Sequence, residues 1–284
     1  MHYTIATRKS RLALIQAKLA VDHLKQQQPH TTFTLLPLVT TGDRQIQWSL
    51  EQAGGKGLFI KELETALLDR RADLAVHSAK DLPTELAEGL TLVGCLPRAD
   101  PRDVLIRRKE SSEQPSSIAT SSPRRRAQAR KCFPQAQWRD IRGNVETRLR
   151  KISDGYADAT ILAAAGLERL GITRYERLAF HPLNPQKMVP AAGQGAIALQ
   201  CRSEDNTLFT PLLDHTTGHA VTIERRLLSR LQGGCQSASA AYYHTHSLML
   251  FHEAVGFQEY TFPSEEPTTV DSTIDTLLGS LNIQ

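Results

Sequence analysis

The spacing of apolar residues in the first 95 positions switches repeatedly between strand-like runs and a helical repeat. Tyr3–Ala6 is an apolar run typical of a strand, and Ser10 then begins a stretch in which Leu12, Ile15 and Leu19 recur at helical spacing. The other elements predicted here are strands at Phe33–Val39, Leu74–His77 and Leu90–Cys95 and a helix along Ile60, Leu63 and Leu67. This succession predicts an α/β sheet with ligand groups at its strand ends.

Two irregular segments interrupt this rhythm. Three glycines follow Gly42 in the stretch that ends at Gly57, and this stretch is predicted to be a long mobile loop. Pro97 to Pro101 is rich in turn-forming residues and is a candidate hinge.

The alternation of strands and helices begins again after the hinge. Strands are predicted at Val104–Arg107, Ser117–Ala119, Trp138–Ile141 and Ala159–Leu162, and helices at Pro123–Lys131, Val145–Ile152 and Ala165–Leu170. Ser122 is expected to cap the first of these helices, with Pro123 at its first position. After a turn at Asn184–Pro190, Ala196–Cys201 is one more strand, which could return to the first sheet.

The last part of the chain has a different pattern. A helix at His219–Leu231 is followed by three strand-like runs and a final amphipathic helix at about Val270–Leu281. The runs are Ala238–Thr245, Ser247–Val255 and Phe257–Phe262. They predict a small α+β domain with a three-stranded sheet.

Length and composition place the chain among globular proteins. Its 284 residues suggest two or three domains. No apolar run reaches the ~20 residues of a membrane span, and the first residues lack the apolar core of a signal peptide. The four widely spaced cysteines indicate neither a disulfide framework nor a zinc site, so we expect a cytoplasmic protein without a metal.

The charge is small in sum and unevenly distributed. The net charge is +4, but residues 120–151 contain ten basic and two acidic side chains, a net charge of +8. From residue 231 onward there are six acidic side chains and no Lys or Arg. The positive charge is therefore local and calls for a local explanation.

The first basic junction lies between a predicted strand and a helix N-terminus. Thr120, Ser121 and Ser122 supply hydroxyl groups there, and Arg124 and Arg125 supply guanidinium groups suited to a carboxylate or phosphate. The N–H groups and dipole of the helix favour an anion at the same place. The alternative is a solvated basic face with an ordinary helix cap.

Two further junctions repeat this design. Arg142, Gly143 and Asn144 form a glycine turn between strand and helix, with Arg148 about one helical turn further on. The segment from Arg8 to Ser10 is a third junction, for which helix capping alone is an equal alternative. Two anion-ready junctions in one domain predict a small polyanionic ligand.

Two other positions suggest covalent or charge-stabilising chemistry. Lys80 and Asp81 follow a strand directly and could stabilise a charged intermediate, although an ordinary surface ion pair is the simpler local interpretation. Cys235, in a glycine-flanked turn after a helix, is a candidate nucleophile, although a lone cysteine is more often an inert small apolar residue.

Nine short stretches, in order along residues 5–236, resemble the hydroxymethylbilane synthase (porphobilinogen deaminase) family. They are Ile5-Ala-Thr-Arg-Lys-Ser10, Thr41-Gly-Asp43, Gly54-Gly-Lys-Gly-Leu-Phe59, Val76-His-Ser-Ala-Lys-Asp-Leu-Pro83, Asp100-Pro-Arg-Asp103, Thr120-Ser-Ser122, Arg142-Gly-Asn144, Ala191-Ala-Gly-Gln-Gly195 and Gly233-Gly-Cys-Gln236. The sequence departs from the family pattern at Arg11, at Ser237-Ala238 and in its short segment after Cys235.

The resemblance implies a fold of two periplasmic-binding-protein-like α/β domains and a small C-terminal α+β domain. The implied boundaries are residues 1–96 with 195–213 for domain 1, 100–190 for domain 2 and 217–284 for domain 3. The implied reaction is the stepwise head-to-tail condensation of four porphobilinogen molecules with loss of ammonia, followed by hydrolytic release of linear hydroxymethylbilane. The enzyme is expected to act as a cytoplasmic monomer, without nucleic-acid or membrane partners.

The resemblance also assigns roles to individual residues. It implies a dipyrromethane cofactor held by a thioether to Cys235, and Asp81 as the catalytic carboxylate. Binding roles for cofactor and substrate are implied for Arg8, Ser10, Lys56, Phe59, Ser78, Lys80, Thr120, Ser121, Ser122, Arg124, Arg125, Arg142, Gly143, Arg148, Arg169 and Gln194.

Two other functions compete with this enzyme. A two-lobed binding protein for a dicarboxylate or oxyanion would use the same helix N-termini but would need neither Asp81 nor Cys235. Nucleic-acid binding by the basic segment is disfavoured, because few aromatics are interleaved there and the basic residues fall at separate junctions.

Overall fold

The computed structural model describes residues 1–44, 60–231, 238–262 and 267–281. Within these ranges the strands are β1 (His2–Arg8), β2 (Thr32–Leu38), β3 (Leu74–Ser78), β4 (Leu90–Cys95), β5 (Asp103–Arg108), β6 (Ser117–Ala119), β7 (Gln137–Arg139), β8 (Ala159–Ala163), β9 (Leu178–Pro182), β10 (Ile197–Arg202), β11 (Ser239–His244), β12 (Ser247–His252) and β13 (Gly256–Thr261). The helices are α1 (Arg11–Gln27), α2 (Thr41–Arg44), α3 (Lys61–Leu68), α4 (Pro123–Cys132), α5 (Val145–Ser153), α6 (Ala164–Arg169), α7 (Asn206–Phe209), α8 (His215–Arg230) and α9 (Pro267–Leu281).

The chain divides into two compact units. The first contains Met1–Ala99 and Gly195–Val221, and the second contains Asp100–Gln194 and Thr222–Gln284. The boundary falls within α8. The three-domain division expected from the sequence stays a prediction.

A five-stranded sheet forms the centre of the first unit. Its order is β2-β1-β3-β10-β4, with β1 parallel to β2 and β3, and β10 antiparallel to β3 and β4. The expectation that Ala196–Cys201 returns to the first sheet is confirmed by β10. Because Ile197 pairs with Ser78, the start of β10 lies at the edge where β3 ends.

Helix α1 begins at the predicted cap, but its buried face is not the one marked by the predicted apolar positions, since Leu12 and Ile15 are half-buried and Leu19 is 42% exposed. The Ser10 hydroxyl accepts a hydrogen bond from the Ala13 N–H, which caps the first turn. The buried face contains Ala13, Gln16, Ala17, Ala20, Val21 and Leu24. Ala17, Ala20, Val21 and Leu24 pack on the sheet residues Ile5, Leu74 and Leu199, so the helix is held by this core.

The second unit contains another five-stranded sheet. Its order is β7-β6-β8-β5-β9, with β6 parallel to β7 and β8, and β5 antiparallel to β8 and β9. Asp103 at the start of β5 pairs with Ala163 at the end of β8. The start of β5 therefore lies at the same edge as the carboxyl ends of β6, β7 and β8.

Three antiparallel strands in the order β11-β12-β13 form the predicted small sheet. Helix α9 buries Val270, Ile274 and Leu277, and its acidic side chains meet α8. Asp271 pairs with Arg226 at 3.3 Å and Asp275 with Arg230 at 2.8 Å. Two of the six acidic charges near the C-terminus are thus paired with α8. The mixed α/β class predicted from the sequence is confirmed.

Several boundaries differ from the sequence prediction. Helix α8 begins at His215, four residues before the predicted start, and β7 is Gln137–Arg139 where Trp138–Ile141 was predicted. Strand β9 was missed because it is an edge strand with two exposed residues, the last of them proline. The predicted loop at 42–57 begins inside α2, and its remainder lies outside the described residues.

No helix in the described part of the chain combines the length and the apolar character needed to cross a membrane.

Candidate functional site

At one edge of the first sheet, four residues singled out by the sequence share a cavity of about 60 Å³. Arg8 ends β1, Ser10 caps α1, Ser78 ends β3 and Asp81 ends the short 3-10 helix Ala79–Asp81. All four line this cavity, and the side chain of Asp81 is exposed to solvent. Lys80, half-buried, belongs to the same turn. The parallel arrangement of β1 and β3 explains this clustering, because both carboxyl ends lie at one edge.

Gln16 belongs to this cavity although the sequence analysis did not identify it. Its side chain is only 3% exposed and lines the cavity wall. The amide and the Ser78 hydroxyl exchange hydrogen bonds, with Gln16 Nε2 donating at 2.9 Å and Ser78 Oγ donating to Oε1 at 3.2 Å. The sequence signal that could have identified Gln16 is a polar side chain on the buried face of an amphipathic helix, because a buried polar group needs a hydrogen-bond partner.

A buried polar chain supports the strand that leads to Asp81. His77 Nε2 lies 3.0 Å from Gln200 Oε1, and Gln200 Nε2 donates to Glu64 Oε1 at 2.8 Å. These contacts join β3, β10 and α3. The position of the turn after β3 is therefore fixed by hydrogen bonds across the sheet as well as by packing.

In the second unit, the three hydroxyl residues after β6 organise the first basic junction. Ser122 caps α4 by accepting from the Arg125 N–H at 3.4 Å, and Thr120 Oγ1 accepts from the Ser122 N–H at 3.2 Å. Ser121 Oγ donates to the Ile141 carbonyl and accepts from the Ile141 N–H, both at 3.0 Å. The hydroxyl of Ser121 thus fastens the segment after β6 to the segment after β7.

Arg124 and Arg125 are almost fully buried, at 6% and 7% exposure. Both pair with the carboxylate of Asp103: Arg124 Nη1 lies 2.7 Å from Oδ2, and Arg125 donates to Oδ1 from Nε at 3.0 Å and Nη2 at 2.8 Å. Gln194 Nε2 also donates to Oδ1 at 3.0 Å. The structure brings these predicted residues together around an acid to which the sequence analysis gave no role.

The second basic junction is built around a glycine. Gly143 has φ +116°, a conformation that L side chains rarely adopt, and Asn144 caps α5 by accepting from the Thr147 N–H at 2.8 Å. Arg148 Nε donates to the Gly143 carbonyl at 2.8 Å, and Lys151 Nζ donates to the Arg142 carbonyl at 3.2 Å. These two hydrogen bonds therefore join the turn at Arg142 and Gly143 to α5.

Arg169 lies on α6, which follows β8 at the same edge of the second sheet. Burial lowers the pKa of its guanidinium from the ordinary value, and the neighbouring charge of Glu168 partly opposes this. An arginine remains protonated under such a shift, so Arg169 brings a partly desolvated positive charge to this edge.

The remaining sequence-predicted residues, Lys56, Phe59 and Cys235, lie outside the described residues. Within the second unit, hydroxyl groups, guanidinium groups and the N-termini of two helices collect at one sheet edge. Such an arrangement suits carboxylate or phosphate groups. In the first unit, Asp81 and Arg8 line a single cavity, so the sheet edge presents one acidic and one basic side chain.

Comparison with known proteins agrees with this chemistry. Residues 3–210 match the family model described as "Porphobilinogen deaminase, dipyromethane cofactor binding domain". The chain is 45% identical over 247 residues to the porphobilinogen deaminase of Sorangium cellulosum, covering 84% of this chain and 81% of that one. It is 45% identical over 248 residues to the porphobilinogen deaminase of Brevibacillus brevis, covering 84% and 79%.

Among solved structures, the periplasmic aliphatic sulphonate binding protein SsuA from Escherichia coli is 13% identical to this chain. The TM-score is 0.46, over 81% of this chain and 70% of that one. We base no conclusion on a likeness at this level.

Proposed function

The chain belongs to the porphobilinogen deaminase family, and we propose that Asp81 and Cys235 carry the family's reaction here. The enzyme is a transferase, a hydroxymethylbilane synthase, that joins four porphobilinogen molecules head to tail. In each step the bond from the aminomethyl carbon to nitrogen breaks and ammonia leaves. That carbon then bonds to the free α-carbon of the growing chain, which loses a proton. Hydrolysis of the bond that joins the four-pyrrole chain to its primer finally releases linear hydroxymethylbilane, with the hydroxyl of water on the terminal methylene and a proton on the primer carbon.

The cavity at the edge of the first sheet is the observation that carries the residue assignment. A porphobilinogen that loses ammonia leaves a cation delocalised over its pyrrole ring. We propose that the Asp81 carboxylate, which lines this cavity, stabilises such a charge, because a fixed carboxylate is a large source of transition-state stabilisation. Arg8 in the same cavity suits the acetate or propionate of the substrate, and Ser10 and Ser78 are supporting donors.

The second unit has the chemistry expected of a dipyrromethane site. Each pyrrole carries two carboxylates, and the described donor set consists of arginines and hydroxyl groups at two helix N-termini. When bound, the dipyrromethane group supplies two pyrroles and the α-position that is extended. We propose that Cys235 holds it as a thioether and that the second-unit residues bind cofactor and substrate carboxylates. These residues are Thr120, Ser121, Ser122, Arg124, Arg125, Arg142, Gly143, Arg148, Arg169 and Gln194.

Lys56, Phe59 and Lys80 complete the proposed set of contacts with cofactor and substrate. We further propose that the three-stranded sheet with its helices acts as a third domain, and that the enzyme is a cytoplasmic monomer without nucleic-acid partners. A simple anion receptor would need neither Asp81 nor Cys235, and the family comparison favours the enzyme.

Intact mass spectrometry tests the role of Cys235. The purified protein is expected to be heavier than its sequence by two condensed pyrrole units. Cys235→Ala should abolish the extra mass, whereas Cys132→Ala, which changes an exposed cysteine of α4, should keep it. An unmodified but active wild type would refute the assignment, as would a modified Cys235→Ala.

Turnover of porphobilinogen tests Asp81. Asp81→Asn should keep the fold and lose about 10²–10³-fold in kcat, the usual effect of removing one electrostatic contact to a transition state. Asp69→Asn is the matched control, because Asp69 is an exposed carboxylate of the first unit, 3.7 Å from Arg71. Substantial turnover by Asp81→Asn would refute its catalytic role.

A further inference from the structure

Asp103 is a fully buried carboxylate whose two oxygens contact different arginines. Arg124 forms an ion pair with Oδ2, and Arg125 forms one with Oδ1. Both arginine side chains are more than nine-tenths buried. Asp103 starts β5, whereas the two arginines occupy the first turn of α4. The carboxylate therefore connects a strand to the helix N-terminus at which the arginines sit.

Two neighbouring guanidinium groups removed from water repel each other and lose their hydration. One carboxylate between them offsets part of this cost only where its hydrogen bonds are well formed. Here Arg125 donates two hydrogen bonds to Oδ1. Arg124 Nη1 makes a close ion pair with Oδ2 at 2.7 Å and donates its hydrogen bond to the Val189 carbonyl at 2.6 Å. These contacts leave each guanidinium group little freedom to rotate, because hydrogen bonds that involve a charged group are stronger than neutral ones.

Gln194 joins this cluster to the turn at 191–195. Its Nε2 donates to Asp103 Oδ1 and, at 2.7 Å, to the Pro101 carbonyl. The backbone of the turn is held in addition by Glu224, whose Oε2 accepts from the Gly193 N–H at 2.7 Å. The orientation of the two arginines is thus set by groups from three separate parts of the second unit.

We propose that Asp103 is a positioning residue, which orients Arg124 and Arg125 to bind the carboxylates of the pyrrole chain. The inference rests on the proposed function of this site. Asp103 itself touches neither substrate nor cofactor. A purely structural role would lower stability and leave the interaction of the folded enzyme with porphobilinogen unchanged, and this difference makes the two roles separable.

The decisive variant is Asp103→Asn, which keeps the shape and removes the charge. It should raise the KM for porphobilinogen about tenfold and reduce the fraction of protein that carries the cofactor mass. Asp158→Asn is the matched control: Asp158 is a half-buried acid of the second unit that contacts Ser116, Ser117 and Arg108 and neither of these two arginines. It should keep KM and cofactor loading within about twofold of wild type while losing stability.

A mutant cycle identifies the partners through which Asp103 acts. In a background with both Arg124→Gln and Arg125→Gln, Asp103→Asn should change KM by less than about twofold, because the groups that it positions are already absent. Independent effects that simply multiply would overturn the proposal. Equal KM and loading of folded Asp103→Asn and wild type would overturn it as well.

A chemical readout does not depend on turnover. Phenylglyoxal modifies arginines, and peptide mapping gives its rate at each site. Arg124 and Arg125 should react at least about fivefold faster in Asp103→Asn than in wild type or Asp158→Asn. Unchanged rates would refute the positioning role even in a protein that proved inactive. A wild type without extra mass or turnover would instead refute the proposed function.

If Asp103→Asn does not fold, Gln194→Met decides the question. It removes one donor from Asp103 Oδ1 while both ion pairs remain. We expect faster phenylglyoxal labelling of the same two arginines, by a smaller factor than with Asp103→Asn. Labelling at the wild-type rate would count against the proposal.

Discussion

Gly143→Ala should destabilise the second unit strongly, because a methyl group there meets two separate obstacles. The backbone has φ +116°, outside the regions open to alanine. An added Cβ would also lie 2.7 Å from Thr147 Cγ2 and 2.9 Å from Thr147 Cβ, closer than such atoms approach. Thr147 cannot withdraw easily, since its N–H is bonded to the Asn144 cap at 2.8 Å.

The loss of stability can be estimated from the backbone conformation and from the contact with Thr147. A residue held in a sparsely populated backbone region costs about 1–3 kcal/mol. An overpacked contact that must be relieved by local shifts costs about 1–3 kcal/mol more. We therefore expect Gly143→Ala to lower the free energy of unfolding by roughly 2–6 kcal/mol. Because Arg148 donates to the Gly143 carbonyl, the shift should also displace this arginine and reduce turnover.

Urea unfolding monitored by circular dichroism and by the fluorescence of Trp138, which lies in β7, measures the loss. Gly166→Ala is the control, since Gly166 lies within α6 and an added Cβ would meet nothing within 4 Å. Alanine there should stabilise by about 0.5–1 kcal/mol. Thr147→Ser in the Gly143→Ala background should recover part of the loss by removing Cγ2.

Equal stability of Gly143→Ala and wild type, or a gain like that of Gly166→Ala, would refute the reasoning. If Thr147→Ser recovers nothing, the contact with Cγ2 contributes nothing, and the cost lies in the backbone conformation and in the contact with Thr147 Cβ that serine retains.

Two further predictions concern the same unit. Asn144→Ala should lower the free energy of unfolding by about 1 kcal/mol through loss of the α5 cap, and Asn144→Asp should retain it, as thermal melting would show. The pKa of Asp158 is held below its ordinary value, mainly by the hydrogen bond from Ser116, so its stabilisation is present above about pH 4 and is lost as the pH falls. The stability deficit of Asp158→Asn at pH 7 should therefore shrink in acid, and a deficit independent of pH would contradict this.

Local features of the fold were predictable because their causes are local. Ser10 and Ser122 cap helices as expected, since a hydroxyl just before an amphipathic or basic run can satisfy the first N–H groups. The apolar spacing of α1 predicted the helix but not its buried face. The spacing marked Leu12, Ile15 and Leu19, whereas the buried residues are Ala13, Gln16, Ala17, Ala20, Val21 and Leu24, and Leu19 is 42% exposed. The end of a strand in the α/β pattern indicated where Asp81 would lie.

Features that depend on partners distant in sequence were not predictable from spacing. Asp103 lies in a motif that matched the family, but only the antiparallel pairing of β5 with β8 brings it to the edge from which α4 starts. The hydrogen bonds from His77 to Gln200 and from Gln200 to Glu64 likewise need the return of β10 to the first sheet. Such contacts follow from topology, which a local pattern does not contain.

The charge of the basic segment, residues 120–151, shows why contacts between residues distant in sequence matter for function. Counting residues 120–151 gave a net charge of +8, because the count stopped at the borders of the segment. Two of its arginines are paired with Asp103, which precedes the segment, and Arg126 pairs with Asp140 at 2.6 Å. The net charge of the three buried groups is +1, from the two cations Arg124 and Arg125 and the anion Asp103. If the arginine pair binds a ligand as proposed, one ligand carboxylate is enough to balance this remaining charge, because Asp103 already offsets the other cation.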